Sequence, residues 1–342
     1  MPLSHSLEQN PTIRAFLVTQ LGTSTWQGEK VAGDASFRSY YRIYANDQTH
    51  ILMVAPPEKE DSAPFVDISR FLNRFDIAVP RVRGGDAAAG LYLLDDYGDA
   101  TFLRVLETEG FGAAETLYRA AIATLLQIQA TPVDGDCIAH RRPFDRKLLR
   151  FELSLLTDWT IKGIWKRTIT PADQGRFDRV FDHLLDAILT QPVTFVHRDY
   201  HSRNLMWLPG ERVGVLDFQD AVLGPITYDL ASLLRDCYVA WDAPFRKTMM
   251  SLWREGATKM LGYTPPWTQF EREFDWMAVQ RNLKAVGIFG RLSLRDGKHG
   301  YLDDIPRTLG YVRETLSRYP ELHDLADLLA TYAPSEVWGV AR

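Results

Sequence analysis

The sequence predicts an α+β fold of two lobes: a small antiparallel-sheet lobe over residues 1–98 and a large, mainly helical lobe over residues 99–342. Three observations predict it. Short β-branched and aromatic runs, separated by turn residues, crowd the first hundred positions. After Tyr97, Gly98 and Asp99 the apolar residues change to helical spacing. Within that helical part, two strand-like runs bracket a polar segment rich in His, Asp and Asn.

Taken in order, Phe16, Leu17 and Leu21 fall on one face of a short helix with Pro11 near its start. Trp26 to Val31, Ser39 to Tyr44 and His50 to Val54 read as a meander, with GDAS and ANDQ supplying the turns. Pro64 to Phe75 reads as a helix, because Val66, Phe71, Leu72 and Phe75 share a face. Val79 to Val82 and Leu91 to Leu94 complete a five-stranded sheet with one inserted helix. Helices follow over Ala113 to Gln129, Phe144 to Trp159 and Phe177 to Leu189, and the last third is helical again. Thr194 to His197 and Arg212 to Leu216 are the two bracketing strands.

A chain of 342 residues with 46% hydrophobic and 24% charged residues has ordinary globular composition and enough length for two lobes. Its net charge of −5 argues against broad electrostatic capture of nucleic acid. Only Cys137 and Cys237 occur, in no metal-ligand or CxxC spacing, so two reduced thiols are expected. No apolar run has the length of a signal-peptide core or a membrane span. The expectation is a cytoplasmic, monomeric protein with no nucleic-acid or membrane partner.

The bracketed segment carries the chemistry. HRDYHSRN places His197, Asp199 and Asn204 in an H-x-D-x-x-x-x-N pattern, and Asp217 opens DFQD thirteen residues after Asn204. Phosphoryl transfer needs a carboxylate to take the acceptor's hydroxyl proton and oxygen ligands to hold Mg²⁺ against ATP phosphates. Asp199 suits the first role, and Asn204 with Asp217 suits the second. His197 reads as an organiser of the loop, because Asp199 already fills the place of base. Asp229, in GPITYDLAS, reads either as a helix N-cap or as a buried carboxylate hydrogen-bonded to the loop; the two are compatible.

Those motifs, with GPITYDLA after them, resemble the aminoglycoside phosphotransferase and choline kinase superfamily. The resemblance implies a bilobal protein-kinase-like fold and ATP- and Mg²⁺-dependent phosphorylation of a small molecule. Three further segments, Gly33 to Arg42 (GDASFRSYYR), Ile51 to Asp61 (ILMVAPPEKED) and Gln280 to Arg291 (QRNLKAVGIFGR), look like one branch. That branch holds bacterial kinases that phosphorylate the anomeric hydroxyl of N-acetylmuramate and N-acetylglucosamine in peptidoglycan recycling. The resemblance covers nearly the whole chain.

In the small lobe, Gly33, Ser36 and Phe37 sit at the turn where kinases cover the phosphates, against the alternative of a plain hairpin turn. Where kinases place a lysine on the third strand, this chain has Met53. Either Arg38, Arg42 or Lys59 is then the candidate cation, or Mg²⁺ does more of the work; Arg42 is preferred among the three for its place on the neighbouring strand, though a solvated strand arginine is its readier reading, and Asp67 is a candidate partner by position. Leu94, Asp95 and Asp96 are implied to hold adenine through their main chain.

For the acceptor, Arg281, Lys284 and Arg203 are candidates to hold an acidic sugar, each against a solvated face. Arg291 lies on the same predicted helix as the first two. Asp220 is a candidate near metal or sugar, or equally a shaper of the loop after Phe218. Tyr200, Trp207, Tyr238 and Trp241 either stack on a sugar ring or belong to the core. An aminoglycoside or choline-type acceptor is the first alternative, and a non-catalytic nucleotide binder the second, with Met53 as its only support.

Overall fold

The computed structural model describes Leu7, residues 9–31 and residues 37–339. Gly33 and Ser36 lie outside the described residues. Helix α1 (Pro11–Leu21) starts where the Asn10 side chain accepts the amides of Thr12 and Ile13. Pro11 at its first position has no amide to satisfy, and Gly22 ends the helix at a φ of 66°.

Strands β1 (Gln27–Lys30), β2 (Ser39–Ala45) and β3 (Gln48–Val54) form the meander. Asn46 and Asp47, both at positive φ, make the two-residue turn whose twist suits a hairpin. Helix α2 (Ala63–Asn73) follows, then β4 (Val82–Asp86) and β5 (Leu91–Asp95), completing an antiparallel sheet in the order β1-β2-β3-β5-β4. One sheet face packs Ile43, Leu52 and Leu93 against Ile13, Phe16 and Leu17 of α1. The other packs Met53 and Tyr92 against Phe65, Ile68 and Leu72 of α2, in a core continuous with the helical lobe.

The strand expected over Val79 to Val82 begins three residues later. Pro80 has no amide to pair, and the segment before it is held elsewhere. The Ser69 hydroxyl donates to the Pro80 carbonyl, and Val215 of the large lobe donates its amide to the Ala78 carbonyl.

The large lobe opens with α3 (Phe102–Glu109), α4 (Ala114–Gln129) and α5 (Arg146–Leu155). From Leu156 to Ile164 the chain widens into π-helix, marked by the Trp165 amide donating to Thr160 five residues back. The helix expected to run evenly from Phe144 to Trp159 is therefore two segments, and it starts at Arg146 because Asp145 caps it. Helix α6 (Pro171–Ile188) follows, then β6 (Val193–Val196), β7 (Leu205–Leu208), β8 (Arg212–Val215) and β9 (Val222–Pro225).

The two bracketing strands do not pair with each other. β6 pairs with β9 and β7 with β8, giving two hairpin-like ribbons with the polar segment between them. Helices α7 (Tyr228–Leu234), α8 (Ala243–Leu261), α9 (Trp267–Asp296), α10 (Ile305–Leu316), α11 (His323–Tyr332) and α12 (Ser335–Trp338) complete the lobe. The 30-residue α9 runs through its centre and touches α5, the π-helical segment, α7 and α10. Among the described residues no helix is long and apolar enough to cross a membrane.

Candidate active site

Residues 197–204 link β6 to β7, and Asp217 follows β8, so two neighbouring strand ends deliver the polar segment. The loop is held by buried groups on every side. Asp229, in the first turn of α7 and fully buried, accepts the His197 amide at 2.6 Å and the Arg198 amide at 3.0 Å. It is the loop-binding carboxylate of the second sequence reading; Thr227 occupies the N-cap position of that helix.

The His197 ring accepts the Asp199 amide at Nδ1 (3.3 Å) and donates from Nε2 to the Leu216 carbonyl (2.8 Å). Burial pushes this ring down to about 4, which keeps it neutral and in the tautomer those two bonds require. Asn204 donates from Nδ2 to the Asp199 carbonyl at 2.9 Å, and Leu216 donates its amide to the Asn204 carbonyl at 2.9 Å. Arg198 and Asp217 both adopt positive φ, 79° and 63°, a cost tolerated where surrounding bonds over-determine the backbone.

Asp199 is the side chain left facing solvent, 36% exposed, with Lys284 of α9 only 3.6 Å from its Oδ1. Burial of the surrounding site would raise its carboxyl, but Lys284, with Arg198 and Arg281 behind it, holds it well below the usual carboxylate range. Lys284 is itself buried, raised by Asp199 and Glu152 against the desolvation that would lower it. Glu152 of α5, 2% exposed, sits 3.5 Å from Lys284, 2.5 Å from Arg198 and 3.0 Å from Gln280.

The sequence reading did not single out Glu152. Its signal was an acid on the apolar stripe of a helix, between Leu149 and Leu153. Asp236, also missed, accepts the Ser202 amide at 2.9 Å from a fully buried position.

Between the lobes lies a cleft. Val31, Ile51 and Leu94 of the small lobe and Met206, Leu216 and Phe218 of the large lobe line it, together with Asp95 to Gly98, Arg203, Asn204 and Asp217. The Asp95 amide is bonded to the Arg81 carbonyl and its carboxylate meets Arg83 at 2.5 Å. Asp95 therefore has no amide left for a ligand in the cleft.

Arg42 lines the cleft, but its guanidinium meets Asp96 at 2.7 Å and Asp99 at 3.0 Å. Arg38 is bonded to Glu60, which also accepts the Phe37 amide, and the Phe37 ring is exposed. Met53 is buried in the core. Asp67 accepts the Ile138 amide at 2.6 Å, so it serves a turn of the large lobe and not a small-lobe cation.

Asn204 and Asp217 line the cleft together, one amide and one carboxylate, an all-oxygen donor pair. Among the described residues no three His, Cys, Asp or Glu side chains gather as a self-sufficient metal site. Two protein oxygens with the rest supplied by phosphate and water is the way Mg²⁺ is commonly held, so the residues fit that ion. Gln219 donates to Asp217 Oδ1 at 2.7 Å and fixes the carboxylate's orientation.

Around the acceptor side the expectations divide. Arg281 and Lys284 do share a face of α9 and lie beside Asp199, but both are buried: Arg281 donates to Cys237 Sγ and Lys284 is held by Glu152 and Tyr228. Asp220 is exposed and outside the cleft lining, and among the described residues only its carbonyl is engaged, by Arg198. Tyr200 is core, its hydroxyl on the Ala121 carbonyl, Trp241 packs among Phe111, Tyr118 and Phe245, and Trp207 lies edge-on to Phe102. Of the four aromatic candidates Tyr238 stands beside the loop, edge-on to His201 and beneath Arg203.

Residues 27–263 match the model of a phosphotransferase enzyme family. A protein of Pseudomonas putida named N-acetylmuramate/N-acetylglucosamine kinase is 38% identical over 300 residues, 87% of this chain and 86% of the relative. One of the same name from Pseudomonas aeruginosa is 39% identical over 301 residues, 88% of this chain and 87% of the relative. Among solved structures, an aminoglycoside phosphotransferase in ternary complex with ADP and hygromycin B superposes with a TM-score of 0.56 at 14% identity. That superposition covers 88% of this chain and 98% of the other, a likeness of fold.

Proposed function

The chain belongs to the phosphotransferase enzyme family, and from that premise we propose that this kinase moves the γ-phosphoryl group of ATP to the anomeric C1 hydroxyl of N-acetylmuramate, N-acetylglucosamine or both. The products are the sugar 1-phosphate and ADP, in the service of peptidoglycan recycling in the cytoplasm. The observation that carries the reading is the 37–39% identity, over most of the chain, to three curated kinases named for those two sugars.

Asp199 accepts a hydrogen bond from the acceptor hydroxyl and takes its proton. A carboxylate held below its usual range is a weak base, and a weak base suffices when the transition state is loose and the proton leaves late. The neutral His197 ring and the Asp229 carboxyl keep the loop in one conformation, so the base is in place before the substrate arrives. Asn204 and Asp217 would hold Mg²⁺, which supplies charge neutralisation at the phosphates when bound. The apolar walls of the cleft suit a purine, gripped at its edge by the main chain between Asp95 and Gly98.

The three cations at the base, Arg198, Arg281 and Lys284, with Arg203 four residues along the loop, favour a neutral or acidic acceptor over a polycationic aminoglycoside.

The test is ADP release with Mg-ATP and a panel of N-acetylmuramate, N-acetylglucosamine, glucose, choline and kanamycin, with ³¹P NMR on the product. Phosphate on C1 of the N-acetyl sugars is expected. Turnover confined to choline or kanamycin discards the substrate assignment. Asp199→Asn should lower kcat by about 10²–10⁴-fold, the span of a lost general base, while nucleotide affinity stays within about twofold.

A further inference from the structure

Resting on the amino-sugar reading above, we propose that Arg203, framed by Tyr238 and Tyr301, grips the lactyl carboxylate of N-acetylmuramate and so sets the preference between the acidic sugar and N-acetylglucosamine. The two sugars differ at that substituent, a carboxylate-bearing ether in one and a hydroxyl in the other. A site that separates them needs a cation with an unengaged hydrogen-bonding edge near Asp199.

The other cations beside Asp199 are committed. Lys284 lies between Glu152 and Asp199, Arg198 is bonded to Glu152, and Arg281 is buried with Nη1 on Cys237 Sγ at 3.0 Å. Arg203 differs on each count. It is exposed, it stands four residues after Asp199, and among the described residues it meets no carboxylate at ion-pair distance. The neighbouring acid, Asp304, is turned to Arg307 at 2.8 Å.

The guanidinium carbon of Arg203 is 3.7 Å from the centroid of the Tyr238 ring and 5.4 Å from that of Tyr301. Rings against the guanidinium face hold it by cation–π attraction and leave its N–H edge for a planar, bidentate partner. A carboxylate is that partner. The frame is itself fixed: Tyr301 stacks on Phe289 at 5.7 Å, and Tyr238 meets the His201 ring at 5.3 Å and gives its amide to Asp236 at 2.9 Å. Little rotamer freedom then remains to be lost on binding.

The nucleotide's phosphates are the competing anion, since Arg203 also lines the interlobe cleft. The frame argues for the acceptor, because Tyr238, Phe289 and Tyr301 all belong to the large lobe and none of them lines the cleft.

The experiment is steady-state kinetics of the wild type, Arg203→Ala and Arg203→Lys, with each sugar and with ATP varied. Loss of a charge-assisted hydrogen bond of about 1.5–3 kcal/mol corresponds to roughly 10- to 150-fold. The ratio of kcat/KM for N-acetylmuramate over N-acetylglucosamine should fall by about that factor in Arg203→Ala, through KM, and recover in part in Arg203→Lys. Tyr301→Leu, which keeps the charge but removes one side of the frame, should lower the same ratio by a smaller factor and carries the test should Arg203→Ala fold poorly. An equal loss on both sugars overturns the proposal. So does a rise in the KM for ATP as large as that for the acidic sugar, which would return Arg203 to the nucleotide phosphates. Wild-type protein inactive on both sugars would instead remove the premise, and that is known before any variant is made.

Discussion

Two carboxylates, Asp199 in the loop and Asp229 beneath it in α7, come out of burial in opposite states. Asp199 has Lys284 at 3.6 Å and stays ionised; Asp229 has two amide donors whose bonds only partly offset its desolvation, and its carboxyl is pushed up to about 7. The folded carboxyl of Asp229 therefore titrates near 7 and the unfolded one near 3.8. Between those values the folded state keeps a proton that the unfolded state has lost, so this group's contribution to stability falls as pH rises through the window and is level above it. Asp229→Asn has no such titration. Urea unfolding of both proteins should show the stability of the wild type relative to the variant declining from pH 5 to pH 8. A difference that stays level across that range would mean that Asp229 is ionised throughout. The residues of this loop were legible because they are contiguous in the chain and each carries a functional group at fixed spacing. Their partners were less so: Lys284 was named only for an acceptor and Glu152 and Asp236 not at all, since two helices and the segment after α7 bring them to the loop and only the packing does it.

Helix α9 brings Lys284 to the base, and its seat depends on glycine. A Cβ at Gly287 would lie 2.4 Å from the Leu155 carbonyl carbon and 2.5 Å from the Leu156 nitrogen, where α5 gives way to the π-helical segment. Those are backbone atoms and have no rotamer with which to yield. Thr160 adds a hydroxyl bond to the Val286 carbonyl at 2.7 Å, locking the widened turn to α9 at the same level. Gly287→Ala should thus push α9 and α5 apart, costing about 1–3 kcal/mol of stability as overpacking does. Lys284 on α9 and Glu152 on α5 flank this contact, so kcat should fall along with the urea midpoint. A variant of unchanged midpoint and activity would show that the two helices adjust freely. The π-helical segment left no mark in the sequence, because its residues keep an ordinary apolar pattern and the extra residue per turn comes from tertiary packing. The sheet was legible where alternation was sustained, as in β2 and β3. Strands β7 and β9, four residues each, are too short to show a period, and Pro80 displaced β4.

At the scale of the molecule, three contacts set how the lobes meet over the cleft. Phe218, beside Asp217, stacks on Phe65 of α2 at 4.8 Å, and Val215 bonds the Ala78 carbonyl. The third is Arg42, which ties β2 to the connection between the lobes through Asp96 and Asp99. The Arg42 and Asp96 side chains are 12% and 4% exposed, and removing the cation leaves Asp96 with the Gly98 amide but no charge partner, at a cost of about 3 kcal/mol. Two roles for Arg42 then give different data. As a latch on the connection, Arg42→Ala should lower the unfolding midpoint and raise the KM for ATP, because the edge that holds the purine loses its support, while kcat at saturating ATP stays within about threefold. Arg42→Lys should behave much like the alanine variant, since one ammonium cannot present a planar fork to two carboxylates. As a phosphate ligand, by contrast, Arg42 would leave the midpoint nearly untouched and its loss would appear in kcat, with lysine restoring most of it. The spacing of Asp96 and Asp99 about one guanidinium predicts the first pattern, and a melting curve beside one ATP titration separates the two.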